Sequence, residues 1–249
     1  PNAKSTEPTS AIEPIDIIQL ASFVQDLGHT VKFLDLDRKW IDGYADVIQI
    51  IKDFQPEVVV ILFDYHIPLH LETTRNKVLE LANIAQNYNI KVVVWWKMAT
   101  YQPKQFLFED SGVDVAISFA MEKPLEQICL LDDWSKNNFQ KIDNISYFDW
   151  EKVARTTFSK KIIDLDHLPM TDRSLIYISD YIDVRTILSS RGCTLSCKFC
   201  HVPGFWGRRV GRLPESVVDE IQDLVDRFWA KKVLFLDDNA TVNKERMAQ

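Results

Sequence analysis

Four short runs of β-branched and other apolar residues, at 30–36, 57–63, 90–96 and 113–119, recur between segments whose apolar residues return every three to four positions. A strand buried on both faces reads as a nearly continuous apolar run, and a helix covering it as a 3.6-residue repeat. Their alternation constrains the chain to a parallel sheet wrapped by helices. The helical segments fall near 15–27, 44–54, 74–88, 103–109 and 124–134, and Gly28 and Gly112 are expected to close two of them. The predicted fold class is α/β, with a Rossmann-like parallel sheet in residues 1–136.

Ligands of such a sheet bind at the carboxyl ends of its strands, so the loops after Phe63, Trp96 and Ser118 form the candidate face. The first carries Asp64-Tyr65-His66, whereas the others read Lys97-Met98-Ala99 and Phe119-Ala120-Met121. Seven glycines and no G-x-G pair leave no phosphate-cradling turn, which argues against nicotinamide and flavin dinucleotides.

Residues 137–182 break the alternation with a hairpin, 145–148 against 153–158, followed by the turn-rich Asp164-Leu-Asp-His-Leu-Pro169. This segment reads as a linker. A second domain, 183–249, then opens with a strand at 184–189, a cysteine loop, a helix started by Pro214 and Glu215, and a strand at 232–236 that ends in Asp237, Asp238 and Asn239.

Charge excludes some partners. A net charge of −7 argues against wrapping a phosphate backbone, which takes a concentrated basic surface. The one basic cluster, Arg208, Arg209 and Arg212, reads as a solvated or locally paired patch. The longest apolar runs, 58–63 and 92–96, fall well short of the roughly 20 residues of a membrane span. Residues 1–10 are polar and lack the apolar core of a secretory signal. A cytoplasmic protein is expected, with neither nucleic acid nor membrane as partner.

Four cysteines make no disulfide scaffold in a chain this long, and three of them crowd into Cys193-Thr-Leu-Ser-Cys197-Lys-Phe-Cys200. The fourth, Cys129, lies in an apolar helical stretch and reads as a small core residue. Because the cysteine loop directly follows a strand, one connection supplies three thiols. Soft thiolates suit iron–sulfur clusters, and a four-iron cluster held by three cysteines keeps one iron open for chemistry. Three other readings compete. Zinc on the three cysteines plus His201 is a known ligand set and makes the protein non-catalytic. Cys197-Lys-Phe-Cys200-His201 satisfies the C-x-x-C-H haem pattern but leaves Cys193 idle. A dithiol exchange pair, Cys197 and Cys200, does the same.

The spacing C-x-x-x-C-x-x-C, with Phe199 before the last cysteine, resembles the signature of the radical S-adenosylmethionine superfamily. A doubly wound domain, a D-L-D-x-L-P joint and then this loop, in that order, is similar to the cobalamin-binding subclass. Gly207-Arg208-Arg209, Pro214-Glu215 and Phe235-Leu-Asp237-Asp238-Asn-Ala-Thr241 add to the likeness, which runs from about Pro14 onward. The resemblance implies that Cys193, Cys197 and Cys200 bind three irons of a four-iron, four-sulfur cluster while S-adenosylmethionine chelates the fourth. It places Phe199 beside the bound cofactor and makes Asp237 and Asp238 candidates for its amino group, unless Asp238 or Asn239 merely caps the last helix. The implied reaction is reductive cleavage of S-adenosylmethionine to methionine and a deoxyadenosyl radical. A reductant such as flavodoxin or ferredoxin and a small-molecule or cofactor-precursor substrate follow. With cobalamin, methyl transfer or a ring rearrangement is implied.

Members that bind cobalamin typically carry glycines where this chain has Lys97-Met98-Ala99-Thr100 and Phe119-Ala120-Met121-Glu122, and no D-x-H-x-x-G segment offers an axial histidine. Glycine permits close backbone approach, so weak or absent cobalamin binding is expected. The family pattern also has a first strand ahead of Pro14 and more barrel strands than two. The chain is therefore expected to open a radical S-adenosylmethionine barrel, and to be truncated at both ends.

Overall fold

The chain divides into two units, one of residues 35–161 and one that joins residues up to Leu34 with 162–249. The computed structural model describes residues 12–36, 43–63, 71–160 and 162–249; Asp64, Tyr65 and His66 lie outside the described residues. This division differs from the expected boundaries at 136 and 183 at both ends of the sheet. Helix α1 (Ile15–Asp26) falls in the second unit, and the run 30–36 forms no strand. The reason is where its apolar side chain goes. Phe33 packs against Ile18, Ile176 and Tyr181 instead of entering a sheet.

In the 35–161 unit, α2 (Tyr44–Phe54) buries Val47 and Ile51, one turn apart. Strand β1 (Val58–Leu62), helix α3 (Leu71–Gln86), β2 (Lys91–Trp95), the short α4 (Lys97–Tyr101) and β3 (Val115–Ile117) follow. After α5 (Glu122–Cys129) and α6 (Lys136–Phe139) come β4 (Ile145–Asp149) and β5 (Lys152–Arg155). The sheet order is β1-β2-β3-β4-β5, parallel through β3 and antiparallel after it. The hairpin is thus the sheet's antiparallel edge rather than a linker. Ile145, Ser146 and Tyr147 are buried against β3, which an independent hairpin could not achieve.

Both faces of the central strands are covered, as their unbroken apolar runs require. Val92, Val94 and Ala116 share a core with Val78, Ala82 and Ala85 of α3, while Val93, Val115 and Ile117 are equally buried. Asp114 clips β2 to the entry of β3, accepting from Val92 N at 2.8 Å and Gln86 Nε2 at 2.9 Å. Gly112 closes no helix. It has φ 76°, and a Cβ there would lie 2.9 Å from backbone atoms of Ala82 and Asn83, so α3 passes at a distance only glycine allows. The helix expected over 103–109 shrinks to a 3-10 turn, Pro103–Gln105.

In the other unit, β6 (Arg185–Ile187) and β9 (Val233–Phe235) pair in parallel, with Ile187 opposite Phe235. Between them lie β7 (Ser190–Arg191), α7 (Val202–Trp206), β8 (Val210–Gly211) and α8 (Pro214–Phe228), and α9 (Lys244–Ala248) comes last. Pro214 suits the first turn of α8, where its missing N–H is not needed. Asp166 of the D-L-D-x-L-P joint holds that end, accepting from Leu213 N at 2.8 Å and Ser216 Oγ at 2.5 Å. Beneath the helix, fully buried Arg173 donates to Glu13 Oε2 at 3.1 Å and to Glu220 Oε1 at 3.0 Å. Arg212 donates to the other oxygen of Glu220. Arg212 is therefore buried and paired, while Arg208 is exposed. Among the described residues no helix is long and apolar enough to cross a membrane.

Candidate metal centre

Strand β6 runs into Leu188 and Ser189, and the chain then turns through β7 and Gly192 into the cysteine loop. Gly192 has φ 82°, and a Cβ there would lie 3.1 Å from the carbonyl oxygen of Arg208 and 3.3 Å from Cα of Arg209. A left-handed residue in so tight a place must be glycine. Below it, buried Arg191 donates to Gln19 Oε1 at 2.8 Å and lies 5.2 Å from the Trp206 ring centroid. The loop thus leaves from a fixed base.

Cys193 and Cys200 are half-buried and Cys197 is exposed. Cys200 N donates to the carbonyl of Cys197 at 3.0 Å, which closes the last turn. Cys193 Sγ accepts from Leu195 N at 3.4 Å and from Asn239 Nδ2 at 3.8 Å. Phe199 is 93% exposed. Among the described residues no three His, Cys, Asp or Glu side chains converge tightly enough to hold one metal ion. A four-iron cluster places each thiolate on a different iron, so three ligands of this kind need not meet at a point. The donor set, three thiols on one strand-end loop with N–H groups aimed at sulfur, fits such a cluster.

Asp237 and Asp238 behave differently from each other. Asp237 Oδ1 accepts from Ser189 N at 2.7 Å, and its Oδ2 from Ser189 Oγ at 2.7 Å and from Ser190 Oγ. Its carboxylate is spent on tying the end of β9 to the end of β6. Asp238 accepts from Gly192 N at 3.0 Å and is otherwise exposed. Neither Asp238 nor Asn239 caps the last helix; Asn243 does, accepting from Arg246 N at 3.0 Å. Arg246 reaches the same corner, donating to Ser189 O at 3.0 Å and Arg212 O at 2.9 Å. Burial, and next the neighbouring Arg209 guanidinium, hold its pKa below the ordinary arginine value, with Asp237 acting in the opposite sense. Ser189, Ser190, Gly192 and the contact of Asn239 with Cys193 escape a reading of the sequence. Their partners lie 46 to 48 residues away, beyond any local pattern.

The strand ends where cobalamin would sit are filled. Met98, Ala99 and Thr100 after β2 are buried, as are Phe119, Ala120 and Met121 after β3. Yet the backbone keeps a glycine-like course at both places, with Trp96 at φ 124° and Phe119 at φ 61°. Thr100 Oγ1 accepts from Phe119 N at 3.1 Å, and Trp95 Nε1 donates to Phe119 O at 2.7 Å, which locks the two loops together. A corrin lying against these strand ends would have to displace these packed side chains.

Comparison with known proteins places both halves. The B12 binding domain family matches residues 6–128, and the Radical SAM superfamily matches residues 187–249. An uncharacterized methyltransferase of Pyrococcus horikoshii is 29% identical over 241 residues, 94% of this chain and 50% of that protein. The anaerobic magnesium-protoporphyrin IX monomethyl ester cyclase of Synechocystis is 23% identical over 98% of this chain and 49% of its own length. The cytidylyl-2-hydroxyethylphosphonate methyltransferase of Streptomyces wedmorensis is 21% identical over 92% of this chain and 51% of its own. The chain spans about half the length of these curated relatives. The two family matches carry the cofactor classes with them: a four-iron cluster and S-adenosylmethionine for the cysteine unit, and cobalamin for the sheet unit. With a B12 binding domain ahead of a three-cysteine strand-end loop, the chain belongs to the radical S-adenosylmethionine superfamily, in its cobalamin-binding-domain subclass.

Proposed function

We propose that this chain is the cofactor-bearing portion of a radical S-adenosylmethionine enzyme that transfers a methyl group to a small-molecule or cofactor-precursor substrate. The observation that carries the reading is the placement of Cys193, Cys197 and Cys200 on one loop at the carboxyl end of a parallel strand. In this reading those thiolates hold a four-iron, four-sulfur cluster, which supplies one-electron reductive cleavage of S-adenosylmethionine once bound. Phe199 offers its exposed ring as a stacking surface for the adenine, and exposed Asp238 faces the ammonium. Asp237 serves the scaffold instead. Methyl transfer, rather than rearrangement, is favoured because two of the three relatives described are methyltransferases. Thiolate ligands call for a reducing compartment such as the cytoplasm, and the electron comes from a small reductant protein such as flavodoxin or ferredoxin.

The test is anaerobic reconstitution with iron and sulfide. About four irons per chain are expected, the stoichiometry of one such cluster. Cys193→Ala, Cys197→Ala or Cys200→Ala should each lose it, while Cys129→Ala and His201→Ala should retain it. Stoichiometric zinc that cannot be exchanged for iron, and that leaves with His201→Ala, would replace this reading by a structural zinc site.

A further inference from the structure

The three residues that end β9 each reach back to a different step of the cysteine loop. Asp237 takes Ser189 and Ser190, Asp238 takes the N–H of Gly192, and Asn239 takes the sulfur of Cys193. The order of the donors along the loop matches the order of the acceptors and donors along the strand end. Only the last of these contacts touches a metal-ligating atom, and it comes from a side chain with an N–H to give. Asn239 is half-buried, whereas Asp238 beside it is exposed. The contact is long, at 3.8 Å, but a thiolate bonded to iron carries more negative charge than a thiol and draws an N–H closer. Cys193 already accepts from Leu195 N at 3.4 Å. Among the described residues neither Cys197 nor Cys200 accepts a hydrogen bond at sulfur. The donors are concentrated on one of the three thiols.

We propose that Asn239 is a positioning residue for the metal centre, whose side-chain amide donates to the Cys193 thiolate and raises the reduction potential of the cluster bound there. Reduction adds negative charge that spreads onto the ligand sulfurs. An N–H aimed at one of them stabilises the reduced state more than the oxidised one. The inference rests on the reading of Cys193, Cys197 and Cys200 as cluster ligands. It adds that the end of β9 sets how readily that cluster accepts its electron. Asn239→Asp keeps the shape, removes the donor and brings in a negative charge, while Asn239→Ala removes the contact alone.

The experiment is a redox titration of the anaerobically reconstituted 249-residue chain, followed by the electron paramagnetic resonance signal of the reduced cluster. Both variants should keep about four irons, since all three cysteines remain. Each should be harder to reduce than the unaltered chain, by roughly tenfold in the reduction equilibrium, or about 59 mV for one electron, with Asn239→Asp shifted further than Asn239→Ala. Should the variants fold poorly, pulsed resonance of the unaltered chain carrying 15N in its asparagine side chains provides a second measurement. A side-chain 15N coupled to the reduced cluster is expected. Variants that load four irons with an unchanged potential, or an unaltered chain without that coupling, overturn the role of Asn239 and leave the ligand reading standing. An unaltered chain that takes up no iron overturns both.

Discussion

Cys129 and Cys197 share a thiol and little else. Burial at the end of α5 pushes the Cys129 pKa above its ordinary value, whereas Cys197 stands exposed on the loop. A raised pKa means less thiolate at neutral pH, and the thiolate is the nucleophile. In the metal-free protein, iodoacetamide at pH 7 should therefore modify Cys197 many times faster than Cys129, as mass spectrometry of peptides over time would read. Equal rates would mean that the Cys129 thiol is not shielded. Gly192 offers a second residue-scale test. Gly192→Ala forces a Cβ to about 3.1 Å from the Arg208 carbonyl in a left-handed backbone, and should reduce iron uptake although every ligand is intact. The thiols themselves were legible because their spacing is local. Gly192, Ser189 and the role of Asn239 were not, because what gives each its place is a group brought near by folding and distant in sequence.

The elements divide in the same way. Strands β1, β2 and β3 were legible from their continuous apolar runs, and α2 from its 3.6-residue repeat. The run 30–36 has the composition of a strand but packs Phe33 onto Ile18, Ile176 and Tyr181, and nothing local distinguishes the two uses. The hairpin could be seen, but its membership in the sheet could not, since pairing of Ala116 with Ser146 depends on register between residues 30 positions apart. The loops after β2 and β3 give a prediction with two readouts. Phe119→Gly relieves a left-handed backbone, worth about 1–2 kcal/mol, but empties a buried aromatic site, where truncation costs about 3–5 kcal/mol. Stability to urea should fall by about 1–4 kcal/mol. Affinity for hydroxocobalamin should rise in the same variant, because the ring that fills the strand ends is gone. Equilibrium dialysis checks the second point, and submicromolar binding by the unaltered chain would show that the corrin is seated by another route.

For the chain as a whole, one buried network of the cysteine unit joins two carboxylates to two guanidiniums. Glu13 and Glu220 face Arg173 and Arg212, and the backbone N–H of Thr186 gives Glu13 a further bond at 2.6 Å. Removing one partner of such a group leaves an uncompensated buried charge, which typically costs about 3–5 kcal/mol. Glu220→Ala should therefore lower the stability of the chain by about that much in chemical denaturation. Glu245→Ala, on an exposed carboxylate, should change it by less than about 0.5 kcal/mol. The same network carries a consequence in time. Glu13 is made 160 residues before Arg173 and 173 before Thr186. At a synthesis rate of about 5–20 residues per second, Glu13 is made roughly 8–32 s before the arginine that neutralises it. Meanwhile the intervening sheet is already a contiguous piece of chain able to fold. The unit that bears the cysteines is thus completed last. On stalled ribosomes, amides of the sheet should resist exchange while those of α1 remain open until the chain has passed Thr186.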